Sequence, residues 1–251
     1  MKMAAARKEF LYKGYTVFDD FLSSEQVNEV LDSIERYREA NHELLQVERR
    51  DLIATQVFKT IVGEDCENKI AMFSDLWRKR ILALSTELAG VELTPINDAA
   101  IGLNINITER SGQISFHYDR NEVTGVLYLQ GCTGGELECY PHYRVLLPNR
   151  YKWYVKPFQR FLDLIWRMPL ALWLVRGRRE VIEAKPGRLV MMRGWLALHR
   201  VRPVQPGANR IAGVFCYDKP DVKWEEWNSA DNYVVQARRK EEKARGATRS
   251  A

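Results

Sequence analysis

Cysteine is sparse in this chain of 251 residues: Cys66, Cys132, Cys139 and Cys216, with no Cys-x-x-Cys spacing and no dense framework. A disulfide-stapled scaffold is therefore excluded, and the four read as reduced thiols. Cys132 and Cys139 flank a predicted turn, so they stand either as two half-buried thiols or as a pair close enough to meet. An export signal is also missing, because Met1–Lys8 is polar or alanine-rich and no apolar core with a cleavage site follows. The expectation is a cytoplasmic protein. No apolar run reaches the roughly 20 residues that a bilayer span requires. The most apolar stretch, residues 151–175, is interrupted by Asp163, Arg167 and Pro169.

Acidic residues are scarce in one segment only. From Pro141 to Arg188 there are 11 Lys/Arg against 3 Asp/Glu, a net +8, which leaves −3 for the rest of a chain whose total is +5. Basic character thus belongs to one segment and not to the whole molecule. Otherwise the composition is ordinary for a globular domain, with 46% apolar and 28% charged residues. The length suits one domain with a sizeable core.

The N-terminal part reads as a short strand at Gly14–Phe18, then a helix from Ser23 or Ser24 to about Asn41 with Val27, Val30, Leu31 and Ile34 on one face. Residues 43–60 are poorly defined. Glu64–Leu88 is the strongest helical signal, with Ile70, Phe73, Leu76, Trp77, Ile81, Leu84 and Leu88 forming a core stripe. From Ala99 the period changes to two. Ile101, Leu103, Ile105 and Ile107 alternate with Gly102, Asn104, Asn106 and Thr108. The amide face either looks into a pocket, where Asn104 or Asn106 would touch a ligand, or is a solvated strand face.

Chemistry concentrates in Phe116-His117-Tyr118-Asp119. His117 and Asp119 are two residues apart, so on a strand both side chains leave the same face. An imidazole and a carboxylate on one face supply two-thirds of the 2-His-1-carboxylate triad that holds non-heme Fe(II) with positions left open. His199, in Leu198-His199-Arg200-Val201, is the candidate third ligand. Arg210, which follows the Gly207 turn and starts a strand expected beside His199, carries a planar fork of donors that suits a carboxylate. Alone, a His-x-Asp pair is most often a satisfied histidine beside a surface acid, and the bland reading of Arg210 is half of a surface salt bridge, against which its place after a Gly turn argues. His42 reads as a helix-end or surface residue and His142 as a loop residue, both outside the ligand pattern.

The order is what adds specificity. After His117 and Asp119 come the strand Val123–Leu129, Gly134-Gly135-Glu136-Leu137, Pro186-Gly187 with the strand Arg188–Met192, His199, Pro203-Val204, Gly207 and Arg210. This resembles the 2-oxoglutarate/Fe(II)-dependent oxygenases, most closely their prolyl-4-hydroxylase-like branch, over residues 100–218. The opening Gly14-Tyr15-Thr16-Val17-Phe18 and Phe21-Leu22-Ser23 is a weaker echo.

The resemblance implies a mainly β fold with flanking helices: a double-stranded β-helix (jelly-roll, cupin-like) barrel with an N-terminal helical buttress and a helical insert. It implies one oxygenase domain over residues 1–251. Residues 9–98 would supply the first strand and supporting helices, residues 99–218 the barrel with an insert at 141–185, and residues 228–251 a charged tail, either a frayed helix or disordered. Metal-binding and catalytic roles would fall to His117, Asp119 and His199, with Arg210 pairing the far carboxylate of 2-oxoglutarate and Asn106 a further cofactor contact. Besides Fe(II), the implied co-reactants are 2-oxoglutarate and O2, with ascorbate as a candidate reductant. The reaction would be hydroxylation or another oxidation of a C–H bond with release of succinate and CO2. Related halogenases lack the carboxylate that Asp119 provides, so its presence favours hydroxylation or a desaturation-type outcome. Thr108 or a neighbour stands where that branch often has a tyrosine touching 2-oxoglutarate.

The insert departs from the family. Its aromatics, among them Trp153, Phe158, Phe161, Trp166 and Trp173, are framed by arginine and lysine. A loop this long is expected to carry its own helices. Three readings stand for residues 150–176: a cap whose apolar side covers the barrel mouth or a second subunit (a homodimer contact), a peripheral contact with anionic lipid, or a nucleic-acid groove. The last is disfavoured, because the second arginine typical of nucleic-acid repair oxygenases has no counterpart here. The leading substrate is a small metabolite or amino acid, followed by a lipid-linked or acyl compound at a membrane surface. Two other classes remain: an inactive barrel binding partners through the insert, and a cupin-like metalloenzyme that uses no 2-oxoglutarate.

Overall fold

The computed structural model describes residues 3–41, 44–50, 55–98, 101–141, 143–148, 154–207, 209–222 and 233–249. His42, His142 and Trp153 lie outside the described residues, as does the first part of the tail.

Twelve strands among the described residues form one curled antiparallel sheet. They are β1 (Tyr15–Phe18), β2 (Leu45–Arg50), β3 (Thr55–Val62), β4 (Thr94–Pro95), β5 (Leu103–Thr108) and β6 (Gln113–His117). The others are β7 (Val123–Gln130), β8 (Leu137–Tyr140), β9 (Glu180–Ile182), β10 (Leu189–Met192), β11 (Leu198–Val201) and β12 (Arg210–Asp218). Their order is β1-β10-β7-β12-β5-β3-β6-β11-β8-β9, with β2 beside β3 and β4 beside β12. The chain turns the corner where Gln56 and Val57 of β3 pair with Ile114 and Gln113 of β6. A wall of β1, β10, β7, β12, β5 and β3 thus faces a smaller wall of β6, β11, β8 and β9. This is the expected double-stranded β-helix.

The alternation on β5 decides which side of the larger wall is which. Leu103, Ile105 and Ile107 pack with Leu127, Leu129 and Phe215 against helical residues Val30, Ile34, Phe73, Leu76 and Ile81. Each such side chain contributes about 1.5–3 kcal/mol on burial. Asn104, Asn106 and Thr108 take the opposite face and are buried inside the barrel, so the amide face is not a solvated one.

The helical buttress is α1 (Met3–Lys13), α2 (Ser24–Ala40), α3 (Gly63–Lys69), α4 (Phe73–Asp75) and α5 (Ile81–Ala89). Ser23 caps α2 in a reciprocal box with Gln26. The single helix expected over Glu64–Leu88 is broken. Met72 sits at φ 65°, and Leu76–Arg80 forms a π-helical turn before α5. The apolar stripe still faces the core, because the wider turn keeps Leu76, Trp77 and Ile81 inward. Helix α1 was not expected from the sequence; only Ala6 and Phe10 are buried along it, too few to mark a stripe. The ill-defined residues 43–60 include the hairpin strands β2 and β3, where the solvent side of β2 blurs the alternation.

The charged tail takes the helical one of its two readings. It carries α8 (Tyr233–Arg249), anchored by Val234 and Val235, which bury against the cluster of Val47, Phe58 and Ile114.

The insert forms α6 (Lys156–Ile165) and α7 (Pro169–Leu174). Trp166, Leu172 and Val175 pack beside Phe116, Tyr118, Tyr140, Tyr143 and Leu198 on the outer side of the smaller wall. The insert is divided: these apolar residues lie against the smaller wall, whereas the side of α6 turned to the protein is its polar one. Buried Gln159 reaches the Val145 carbonyl at 3.0 Å, and Asp163 receives Arg144.

Candidate metal centre

β6 and β11 pair antiparallel with His117 opposite His199. Asp119 lies two residues beyond β6, its backbone N–H donating to the Gly194 carbonyl at 3.0 Å. These three side chains converge, each offering a ligand atom within 4.8 Å of the others. The His117 and His199 Nε2 atoms lie 3.5 Å and 3.4 Å from the same oxygen, Asp119 Oδ1. Each imidazole uses its other nitrogen locally. His117 Nδ1 is 2.9 Å from the Ser115 carbonyl and His199 Nδ1 2.9 Å from the Ala197 carbonyl. A carbonyl only accepts, so both Nδ1 atoms carry the proton and donate, and both Nε2 lone pairs turn toward the shared centre.

The carboxylate is fixed as well. Thr124 donates its hydroxyl to Asp119 Oδ2 at 2.7 Å, and Asn121 donates to Thr124 Oγ1 at 2.9 Å and to the Val123 carbonyl at 2.7 Å. Oδ1 is thereby left to face the imidazoles. Gly194 completes this cradle, since a β-carbon there would overlap the Asp119 carboxylate. Burial pushes the Asp119 pKa up, but the charge of a protonated His199 and the hydrogen bonds that the two imidazoles donate once Nε2 is also protonated hold it well below the usual carboxylate range. Burial lowers the His199 pKa, and the adjacent Asp119 more than reverses that, leaving it raised. A cation at this point replaces the proton in satisfying the carboxylate.

Arg210 lies elsewhere than expected. The sequence reading put it on the strand beside His199, but β12 is flanked by β7 and β5, in the wall opposite β11. It is only 2% exposed and faces the interior, opposite Thr108 in register. Its guanidinium lies over the Tyr128 ring, 5.0 Å from the centroid. Among the described residues its Nε has no hydrogen-bond partner, and the same holds for Asn106 Oδ1, Thr108 Oγ1 and Tyr128 Oη. Asn106 sits one residue pair further along the same face, opposite Ala212. Buried polar atoms are ordinarily paired, so an unpaired group of this kind on one interior face is ligand-shaped. A guanidinium, two hydroxyls and an amide fit a carboxylate and its neighbouring oxygens.

Thr124, Asn121, Gly194 and Tyr128 were not picked out from the sequence. The period of two along β7 places Thr124, Val126 and Tyr128 on one face, which was a usable signal for Tyr128 and Thr124. Nothing local marks Gly194, whose partner is 75 positions away. All four cysteines are free thiols, so Cys132 and Cys139 are not joined. A cleft of about 1000 Å3 between α2, β2 and α8 is lined by none of the triad residues, although Tyr233 borders it. The Tyr233 pKa is raised by burial first and then by the charge of Asp119, which brings the start of α8 near the triad.

No family model matches the chain, and no curated protein is similar to it. Solved structures do share its fold. The non-heme alpha ketoglutarate dependent carbocyclase SnoK from nogalamycin biosynthesis is 15% identical, with a TM-score of 0.63 over 85% of this chain and 82% of that one. The epimerase SnoN of the same biosynthesis is 18% identical, with a TM-score of 0.60 over 86% and 80%, and has been solved with Fe3+, alpha ketoglutarate and nogalamycin RO. A Pseudomonas putida prolyl-4-hydroxylase is 15% identical, with a TM-score of 0.54 over 86% of this chain and 99% of that one.

Proposed function

We propose that this chain is a single-domain Fe(II)- and 2-oxoglutarate-dependent oxygenase. It oxidises a C–H bond of a small metabolite or amino-acid-type substrate and releases succinate and CO2. The observation that carries this reading is Arg210: a buried cation with no anionic partner among the described residues, across the barrel from a His-Asp-His cluster. Burying an unpaired charge costs several kcal/mol. A dicarboxylate bound with one end at the metal and the other at Arg210 offsets that cost. Neither an inactive barrel nor a cupin-like metalloenzyme working without 2-oxoglutarate has a use for such a cation.

His117, Asp119 and His199 would hold the iron, which with 2-oxoglutarate supplies O2 activation coupled to oxidative decarboxylation. The chain's own part is positioning. The Nδ1 donations of His117 and His199 to backbone carbonyls fix both rings in the tautomer that presents Nε2. Thr124 pins one Asp119 oxygen so that the other stays available. Arg210 and the Tyr128 and Thr108 hydroxyls, all buried, receive the far carboxylate away from bulk solvent, where charge-assisted hydrogen bonds are strongest. Asn106, beside them, contacts the keto-acid chain or the substrate.

The insert favours a second reading of the substrate, a lipid-linked or acyl compound, because its large apolar side chains point outward. Both readings are tested by incubating the iron-loaded protein with 2-oxoglutarate, O2 and ascorbate, adding metabolite and acyl pools, and following succinate. Substrate-stimulated, O2-dependent succinate formation that disappears in Asp119→Ala is expected. Absence of 2-oxoglutarate consumption by protein shown to hold iron overturns the proposal.

A further inference from the structure

Helix α6 is amphipathic in the inverted sense. Gln159 and Asp163, at i and i+4, share one face, with Arg167 just past the helix end, and that face is turned to the protein. The Gln159 amide donates to the Val145 carbonyl and to Asp163 Oδ1, and its oxygen accepts the Leu147 N–H at 2.9 Å. Asp163 receives the Arg144 guanidinium, and Arg167 donates to the Asp163 carbonyl at 3.1 Å. The opposite face is apolar and open. Phe158 is 66% exposed and Phe161 61%, followed by Met168, Leu170, Trp173 and Leu174, all exposed. Scattered exposed apolar residues are normal, but a continuous run on consecutive helices marks a contact surface.

We propose that α6 and α7 dock this chain on an anionic lipid surface, lying in the plane of the interface with Phe158, Phe161, Leu170, Trp173 and Leu174 inserted. Among the described residues no helix is long and apolar enough to cross a membrane, so the contact is peripheral. Charge selects the occupant. The segment from Pro141 to Arg188 carries +8, whereas the rest of the chain carries −3. The exposed Arg176, Arg178 and Arg179 directly follow α7, and the Arg176 guanidinium lies 4.5 Å from the Trp173 ring centroid. Aromatic anchors beside basic side chains fit the boundary between acyl chains and anionic headgroups. A second copy fits poorly, because a two-fold contact through this face sets the same basic residues against themselves. Nucleic acid also fits poorly, since the surface is apolar where a phosphate-tracking groove is basic.

The test is co-sedimentation of the full chain with vesicles of phosphatidylcholine alone and of phosphatidylcholine mixed with phosphatidylglycerol. Binding to the mixed vesicles that weakens with added salt, with little binding to the neutral ones, is expected. The Phe158→Ser/Phe161→Ser pair and, separately, Trp173→Ser should each lower the vesicle affinity by about tenfold or more. Fe(II) binding and the melting temperature are read alongside; both should be unchanged, which separates this surface from the metal centre. No binding to anionic vesicles overturns the proposal. So does binding that the substitutions leave intact, or a dimer in light scattering that the same substitutions dissolve.

Discussion

Gly194 and Asp119 are held face to face: the glycine carbonyl accepts the Asp119 N–H at 3.0 Å, and its α-carbon lies so near the carboxylate that no side chain fits between them. Gly194→Ala must therefore swing Asp119 away from His117 and His199. Disturbing the orienting shell of a metal ligand typically costs 10–100-fold in metal affinity. Anaerobic Fe(II) titration of this variant should show a loss of about that size, with a melting temperature close to that of the parent. Unchanged affinity would mean that Asp119 is not held in place for a metal.

Arg210 gives the opposite balance of stability and binding. Removing an unpaired buried charge relieves desolvation, so Arg210→Met should leave the apo protein at least as stable as the parent. The same change deletes a charge-assisted contact worth about 1.5–3 kcal/mol, a loss of roughly tenfold to a hundredfold in 2-oxoglutarate affinity. Calorimetric titration and a thermal melt on one preparation read both. A destabilised variant that binds 2-oxoglutarate normally would show that Arg210 serves the fold instead.

The insert depends on a polar clasp. Arg144 and Asp163 are both largely buried, and Arg144 also donates to the Trp195 carbonyl at 3.0 Å. Asp163→Ala leaves that guanidinium and Gln159 short of their acceptor. Faster amide exchange in α6 is expected, while β5, β7 and β12 keep their protection. Uniform loss of protection would mean that the insert and barrel unfold as one unit.

Tyr37 links α2 to α3 through its hydroxyl, which donates to Asp65 at 2.6 Å. Burial pushes the Asp65 pKa up, but hydrogen bonds from Lys69 and Tyr37 outweigh it and leave the group below its ordinary value. A depressed folded pKa contributes stability above the unfolded value that is lost as pH falls through the folded one. Tyr37→Phe should cost roughly 0.5 kcal/mol near neutrality, since Asp65 is over a third exposed. Denaturant melts should show that deficit shrinking below about pH 4. A deficit independent of pH would trace it to packing.

The barrel was legible because its strands obey a strict period of two: Leu103, Ile105 and Ile107 on one side and Asn104, Asn106 and Thr108 on the other need no tertiary information. His117, Asp119, His199 and Arg210 were legible as residue types in an order. What the sequence hid was relation across space. It placed Arg210 next to His199, whereas β12 and β11 occupy facing walls. It left the insert open among a cap or subunit contact, a lipid contact and a nucleic-acid groove; Gln159 and Asp163 turn the polar side of α6 inward through Val145 and Arg144, partners that no local pattern marks. Met72, the π-helical turn and the Val234–Val235 anchor of α8 are likewise set by packing partners far away in the chain.

The most direct test of the metal centre is anaerobic addition of Fe(II) and then 2-oxoglutarate, with the visible charge-transfer band of the chelate as readout. The wild type should develop the band, Asp119→Ala should lose it, and Arg210→Met should need a 2-oxoglutarate concentration about tenfold or more higher to reach it. A folded protein that binds Fe(II) and gives no band at any 2-oxoglutarate concentration would contradict the pairing of His117, Asp119 and His199 with Arg210 as one site.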